Sequence, residues 1–252
     1  MASQEKCRII DHQKVGPQHY KLVLASDYLS KHAQPGQFVQ VKCSDTLDPL
    51  LRRPISLHQI SPEHKTFALL YEVVGKGTNE LTKLFVGENL DLFGPLGTGF
   101  QLDSQRNKHL LVGGGMGSAP LLALAERLTG QVSILLGAKT AANILAEADY
   151  NKLGHNVAVI TDDGSKGKKG LVSDLLLERI SQDSVVYACG PKSMLRAVAE
   201  ICWQKKVDCQ ISMEERMACG IGACKGCAVK TKGGYKMACK DGPVFKGEDI
   251  IW

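Results

Sequence analysis

The segment ERMACGIGACKGCAVK, residues 215–230, puts Cys219, Cys224 and Cys227 within nine positions, and Cys239 follows in KMACKDGP. The spacing is C-x4-C-x2-C-x11-C. Cysteine thiolates at such intervals bind metal, and a short three-ligand loop closed by a distant fourth cysteine is the plant-type [2Fe-2S] pattern. Gly220, Gly222 and Gly226 suit a loop whose amides turn inward to hydrogen-bond cluster sulfurs. AVKTKGGYKMAC reads as a hairpin with Gly233-Gly234 at its turn, returning Cys239 to the other three. Structural zinc is the competing reading. Zinc ribbons use two CxxC pairs from two turns, whereas this segment has one such pair and one CxxxxC arm. A closed four-thiolate iron site passes single electrons and binds no substrate, so it needs a donor and an acceptor.

Three further stretches bear on the donor. LVGGGMGSAPLLAL, residues 111–124, is a glycine-rich bend at the start of a helical pattern, where free N–H groups and the positive dipole end can meet a phosphate. It is not the strict GxGxxG, and Gly137-Ala138-Lys139 stand where the dinucleotide fingerprint has an acidic residue. Lys139 could meet a 2′-phosphate, so these residues leave NAD and NADP both open. LLRRPISLHQI offers Arg53 and Ser56, and YEVVGKGTNELTKLF offers Gly75 and Gly77 ahead of Thr78, a candidate cap for a short helix. Arg53 and the amides near 77 and 78 could share one diphosphate. The plain alternatives are a strand–helix turn without ligand, and a surface arginine beside a hydroxyl.

These residues need elements to hold them. CRIIDHQKV, YKLVLAS, GQFVQVKC, PISLHQI, TFALLYEVV and ENLDLFGPL alternate as strands do, with TNELTKLF as one short helical stretch, which predicts a six-stranded antiparallel β-barrel. After a linker at 99–108, HLLVGGGM, QVSILLGA, NVAVITDD and SVVYACG are continuous apolar runs. Each precedes a helical pattern, SAPLLALAERL, AANILAEADYNKL, LVSDLLLERI and PKSMLRAVAEICWQKK, which predicts a doubly wound parallel sheet. The expected division is a barrel over 1–103, an α/β domain over 104–210 and a cysteine segment over 211–252.

Composition narrows the setting. The chain has 252 residues, no apolar run of the ~20 residues that cross a membrane, and no signal-peptide core in MASQEKCRIIDHQKV. A cytoplasmic protein without membrane contact is expected, and in that reducing setting metal binding outranks disulfides for its nine cysteines. Cys7, Cys43, Cys189, Cys202 and Cys209 are scattered and read as small buried residues. The net charge of +5 is spread along the chain, with KGKK at 166–169 as the one run, read as a solvated loop, so nucleic acid is not expected.

RPIS and GKGT, followed by VGGGMGSAP and then YACGP, resemble the ferredoxin reductase family of flavoproteins over residues 1–210. The resemblance implies that the barrel binds FAD and the second domain NAD(P)H. Ile55 stands where that family usually carries an aromatic residue, so stacking on the flavin from that position is lost. EERMACGIGACKGCAVK with CKDGPVFKGEDI is similar to the electron-transfer subunits of NAD-dependent (type B) dihydroorotate dehydrogenases, over the whole chain.

Carried residue by residue, that resemblance implies cluster ligands Cys219, Cys224, Cys227 and Cys239. It implies FAD contacts at Arg53, Pro54, Ile55, Ser56, Leu70, Tyr71, Glu72, Gly77 and Thr78. It also implies a nicotinamide border at Gly113, Gly114, Gly115, Gly117, Cys189 and Gly190. NADH delivers hydride and the cluster accepts single electrons, a mismatch that a flavin resolves. The implied acceptor is an FMN-binding catalytic subunit that oxidises dihydroorotate to orotate in pyrimidine (UMP) biosynthesis, in a heterotetramer of two plus two. Its (β/α)8 domain runs about 250 residues, and no segment here reads as one.

Two alternatives stand beside this expectation. One is a related NAD(P)H-dependent ferredoxin or polysulfide reductase subunit, whose relatives carry aspartate where Cys219 stands. The other is a colourless, zinc-stabilised nucleotide-binding module without redox activity.

Overall fold

The computed structural model describes residues 2–102 and 106–252. Its first unit is a closed antiparallel barrel of β1 (Ser3–Lys14), β2 (His19–Ala25), β3 (Phe38–Val41), β4 (Arg53–Ser61), β5 (Thr66–Glu72) and β6 (Asn89–Leu96), in the order β1-β2-β5-β4-β3-β6. Alternation fills it: Val39, Val41, Ile55, Leu57, Leu69 and Leu92 are buried together in one core. Two short helices join the strands, α1 (Asp27–His32) and α2 (Lys76–Leu81). The first was not expected from apolar periodicity, and a cap explains it: Leu29 N–H donates to Ser26 Oγ at 2.9 Å.

The second unit runs β7 (Lys108–Gly114), α3 (Ser118–Ala125), β8 (Gln131–Ala138), α4 (Glu147–Lys152), β9 (Asn156–Thr161), β10 (Lys168–Lys169), α5 (Val172–Arg179), β11 (Ser184–Cys189), α6 (Lys192–Lys205) and β12 (Asp208–Ser212). Both faces of the sheet are covered. Leu110, Val112, Val186 and Ala188 pack with Leu175, Leu176, Leu195 and Val198 from α5 and α6. Leu111, Ile134, Val185 and Tyr187 pack with Leu121, Leu122 and Tyr150 on the other side. That two-sided burial is why the strands read as unbroken apolar runs.

The C-terminal segment supplies a hairpin, β13 (Ala228–Thr231) and β14 (Gly234–Met237), and then β15 (Val244–Lys246). β15 pairs antiparallel with β12, so the full sheet order is β10-β9-β8-β7-β11-β12-β15. The 210/211 division therefore falls inside β12, and the 103/104 division lies outside the described residues.

Three local expectations change. The helix expected over 141–153 begins only at Glu147, because Ala146 takes φ 59° and Leu145 turns in to pack on Leu70 and Ala119. The KGKK run contains β10, an exposed edge paired parallel with β9, whose Lys168 reaches Glu178 at 2.8 Å. In the hairpin, Thr231 pairs with Gly234, so Lys232-Gly233 form the turn and Gly234, at φ +97°, opens the return strand.

Candidate functional site

Cys219, Cys224 and Cys227 lie on a loop that leads into the β13–β14 hairpin, and Cys239 follows the hairpin's return strand. Main-chain N–H groups point at their sulfurs: Gly222 to Cys239 at 3.0 Å, Cys224 to Cys219 at 3.4 Å, Cys239 to Cys227 at 3.4 Å, and Gly226 to Cys224 at 3.5 Å. Gly220 and Gly222 take φ of +73° and +81°, which aims those amides inward. The Cys219 thiol is pulled down to about 6, chiefly by the N–H groups of Cys224 and Ile221. Burial and the neighbouring Cys227 push Cys239 up.

Exposure divides the set. Cys227 and Cys239 are 1% and 2% exposed, in one apolar core with Phe38 and Leu96 of the barrel, whereas Cys224 and Ile221 lie open. Among the described residues, no three His, Cys, Asp or Glu groups converge on a single-ion position. Inward amides, one readily ionised thiol and two thiols buried in an apolar setting fit an iron–sulfur cluster.

On the barrel, Val39 pairs with Ile55 and both are buried in its core, so Phe38, Gln40, Pro54 and Ser56 share the outer face. The side chains of Ile55 and Tyr71 are turned into the barrel, where Tyr71 stacks on Tyr20 at 5.7 Å and meets His12 Nε2 at 3.0 Å. A cofactor on the outer face meets those two residues only through main chain. Leu70 is buried against Ala119 and Leu145, and Glu72 Oε1 lies 4.0 Å from His19 Nε2.

The structure brings Arg53 to Gly77. A Cβ built on Gly77 would stand 2.8 Å from Arg53 Nε, so glycine there lets the guanidinium lie across the first turn of α2. Thr78 does not cap that helix. Its N-cap is Gly75, and Thr78 Oγ1 instead accepts from Val74 N at 3.0 Å and donates to Gly75 O at 3.2 Å, tying the turn to the end of β5.

The sheet order reverses between β7 and β11, since the chain winds outward from β7 to β10 and then crosses back to β11. Ligand crevices of doubly wound sheets open at the carboxyl ends of such strands, and here those ends carry Gly113–Gly117 and Cys189-Gly190. Three of the glycines are spacers: a Cβ on Gly113 would meet Ser118, one on Gly114 would meet Met194 and Pro191, and one on Gly117 would stand 2.1 Å from Cys189 O. Gly115, at φ +53°, faces open space, which leaves the crevice side of the turn clear. Burial and Glu214 push the Cys189 thiol up to about 12, so it stays protonated.

A cavity of about 1030 Å³ lined by Leu102, Trp203, Asp208 and Phe245 lies at the opposite end of β12 and serves none of these sites. Sequence reasoning passed over Gln40, a polar residue at an alternating strand position that burial alone singles out.

Residues 214–251 match the family model described as the iron-sulfur cluster binding domain of dihydroorotate dehydrogenase B, and residues 111–200 match the oxidoreductase NAD-binding domain. The dihydroorotate dehydrogenase B (NAD(+)) electron transfer subunit of Geobacillus sp. strain WCH70 is 40% identical over 259 residues, covering 100% of both chains. The chain belongs to this family of electron transfer subunits. The family's Desulforamulus reducens subunit is 39% identical over 247 residues, 94% of each chain. Among solved structures, an NADH-dependent reduced ferredoxin-NADP oxidoreductase matches with TM-score 0.87 at 31% identity, over 100% of this chain and 92% of that one. The ferredoxin reductase of carbazole 1,9a-dioxygenase, at 19% identity and TM-score 0.67 over 82% of this chain and 67% of that one, shares the fold of the family.

Proposed function

We propose that this chain carries electrons between NAD(H) and an FMN-containing, dihydroorotate-oxidising partner in cytoplasmic pyrimidine biosynthesis, as the electron-transfer half of a two-plus-two heterotetramer. The observation that carries the reading is the polarity of the cysteine loop. Cys227 and Cys239 are sunk against the barrel face that bears Pro54 and Ser56, while Cys224 and Ile221 are exposed on the outside of the loop. Electrons that enter beside the barrel have an exposed rim by which to leave. When bound, FAD supplies the conversion between hydride and single electrons, and the [2Fe-2S] cluster carries those electrons onward.

The chain's own residues bind and orient. Arg53 and the amides at Gly77 and Thr78 hold the FAD diphosphate, and Pro54 and Ser56 present the outer strand surface to the rest of the cofactor. The Gly113–Gly117 turn and Gly190 border the nicotinamide crevice. Cys189, held as a neutral thiol, shapes its wall. Arg53→Ala should weaken FAD retention roughly 10- to 100-fold through loss of a charge-assisted contact. Flavin content after gel filtration at low protein concentration checks it, and unchanged content removes Arg53 from that role.

The deciding experiment mixes the purified chain with an FMN-containing dihydroorotate dehydrogenase catalytic subunit. Orotate reduction by NADH should appear only with both present. The likeness to the ferredoxin-NADP oxidoreductase favours one second reading, in which NADH drives reduction of a ferredoxin by this chain without any catalytic partner.

A further inference from the structure

Gln40 is 1% exposed, and neither its Nε2 nor its Oε1 has a hydrogen-bond partner. A carboxamide buried with both ends unpaired is costly, and native proteins keep few of them without a reason. Gln40 sits mid-strand in β3 on the outer barrel face, opposite Pro54 on one side and Phe93 on the other. Its main chain is fixed on both edges, and Arg52 donates to its carbonyl at 3.3 Å.

Its side chain lies beneath the first corner of the cysteine loop. A Cβ built on Gly220 would stand 2.8 Å from Gln40 Cγ and 3.0 Å from Gln40 Nε2, so the loop's main chain beside Cys219 rests on the carboxamide. Gly220 has φ +73°, and its missing side chain is what lets the loop descend that far. The N–H donors to the four cysteine sulfurs among the described residues are all main-chain groups, those of residues 221, 222, 224, 226 and 239. Gln40 is a side-chain donor placed under the same loop with nothing to donate to.

We propose that the Gln40 carboxamide is a positioning residue that links the flavin-binding strand pair to the iron–sulfur cluster, its Nε2 N–H donating to cluster sulfur at the Cys219–Gly220 corner in the loaded protein. The inference rests on the cysteine-ligand reading given above. Sulfur gains negative charge when the cluster takes an electron, so an N–H donor there stabilises the reduced form and raises the potential. Because β3 pairs with β4, the same side chain fixes how closely the loop approaches the face that carries Pro54 and Ser56. Main-chain donors within the loop can set the cluster's potential, but only a group rooted in the barrel can also fix its place relative to the flavin.

The test uses the full chain loaded with FAD and cluster, and compares wild type with Gln40→Met, which keeps the volume and removes the amide, and Gln40→Glu, which keeps the shape and replaces the donor by an acceptor. Cluster reduction is followed by electron paramagnetic resonance at fixed poise. Gln40→Met should lower the ratio of reduced to oxidised cluster about tenfold, equivalent to 59 mV for one electron, and Gln40→Glu should lower it further. The resonance line shape should change in both.

Stability supplies an independent readout. Freed of metal, Gln40→Met should melt at or above the wild-type temperature, since it removes an unpaired amide; with the cluster in place it should melt below wild type. Unshifted potential and line shape at full iron content would overturn the inference and leave Gln40 as a filler of space. Should Gln40→Met fail to take up iron, the shift in Gln40→Glu decides. A wild-type protein without an iron–sulfur signal would instead overturn the cysteine-ligand reading, an outcome visible before any variant is made.

Discussion

Replacing Cys224 by serine is expected to strip iron from the protein, to less than about a tenth of the wild-type content, while FAD stays bound. The asymmetry follows from where the residue lies. Cys224 is exposed on the loop, so the change removes no core contact, whereas Cys227 and Cys239 are part of the apolar core and their loss would also loosen the fold. The thiolate is the ligand, and a serine hydroxyl at neutral pH offers no comparable anion. Arg53, Ser56 and Gly77, which should hold FAD, stand on β4 and α2, and among the described residues no loop hydrogen bond reaches them. Iron analysis with the visible spectrum of the same sample reads both outcomes. A normal cluster spectrum in Cys224→Ser would show that the ligand set is wrong, and loss of FAD with the iron would show that loop and barrel are one binding unit.

Much of this arrangement was legible in the residues, and the parts that were not share a physical cause. Strand periodicity revealed the barrel because its inner face alternates, as Val39, Val41, Ile55 and Leu57 do. Unbroken apolar runs revealed the parallel sheet because α5 and α6 cover one face and α3 the other. Cysteine spacing revealed the loop because ligand geometry is local. What periodicity could not show is long-range: that β15 would close the edge of β12, or that Leu145 would be drawn out of a helical pattern to fill the gap between Leu70 and Ala119. α1 was missed because a cap, not a stripe of apolar residues, starts it. At the site, the meeting of Arg53 with Gly77 was legible as a shared anion contact, but the inward turn of Tyr71 was not, since its aromatic type suits a flavin face and a barrel core equally.

The glycine turn at the switch point separates packing from ligand contact, and that makes its variants informative. Gly117→Ala places a methyl group 2.1 Å from Cys189 O, 2.3 Å from Cys189 C and 2.5 Å from Gly190 N, all main-chain atoms of the neighbouring strand end. No rotamer can relieve the clash. β7 and β11 are locked in parallel register from Lys108–Ser184 to Gly113–Cys189, so the turn must lift off or the strand ends must part. Overpacking of this kind costs about 1–3 kcal/mol, roughly 3–10 °C in melting temperature for a chain of this size.

The larger effect should fall on NADH, whose crevice is proposed to lie between those two strand ends. Reduction of the flavin by NADH is expected to slow by at least about tenfold in Gly117→Ala, while FAD and iron content hold, since the added methyl meets main-chain atoms of Cys189 and Gly190 and none of the barrel or the cysteine loop. Gly115→Ala is the complementary variant: nothing lies within 4 Å of its Cβ, so only the φ of +53° penalises it within the protein. Its fold should survive with little loss, and any slowing of NADH reduction then reports a methyl group pushed into the open crevice. Stopped-flow reduction of both variants, with chemical reduction by dithionite as the control, reads the difference. If Gly117→Ala took electrons from NADH at the wild-type rate, the nicotinamide would have to bind elsewhere than at the β7 and β11 ends. If both variants slowed while dithionite reduction stayed normal, the crevice would be the site at which hydride enters.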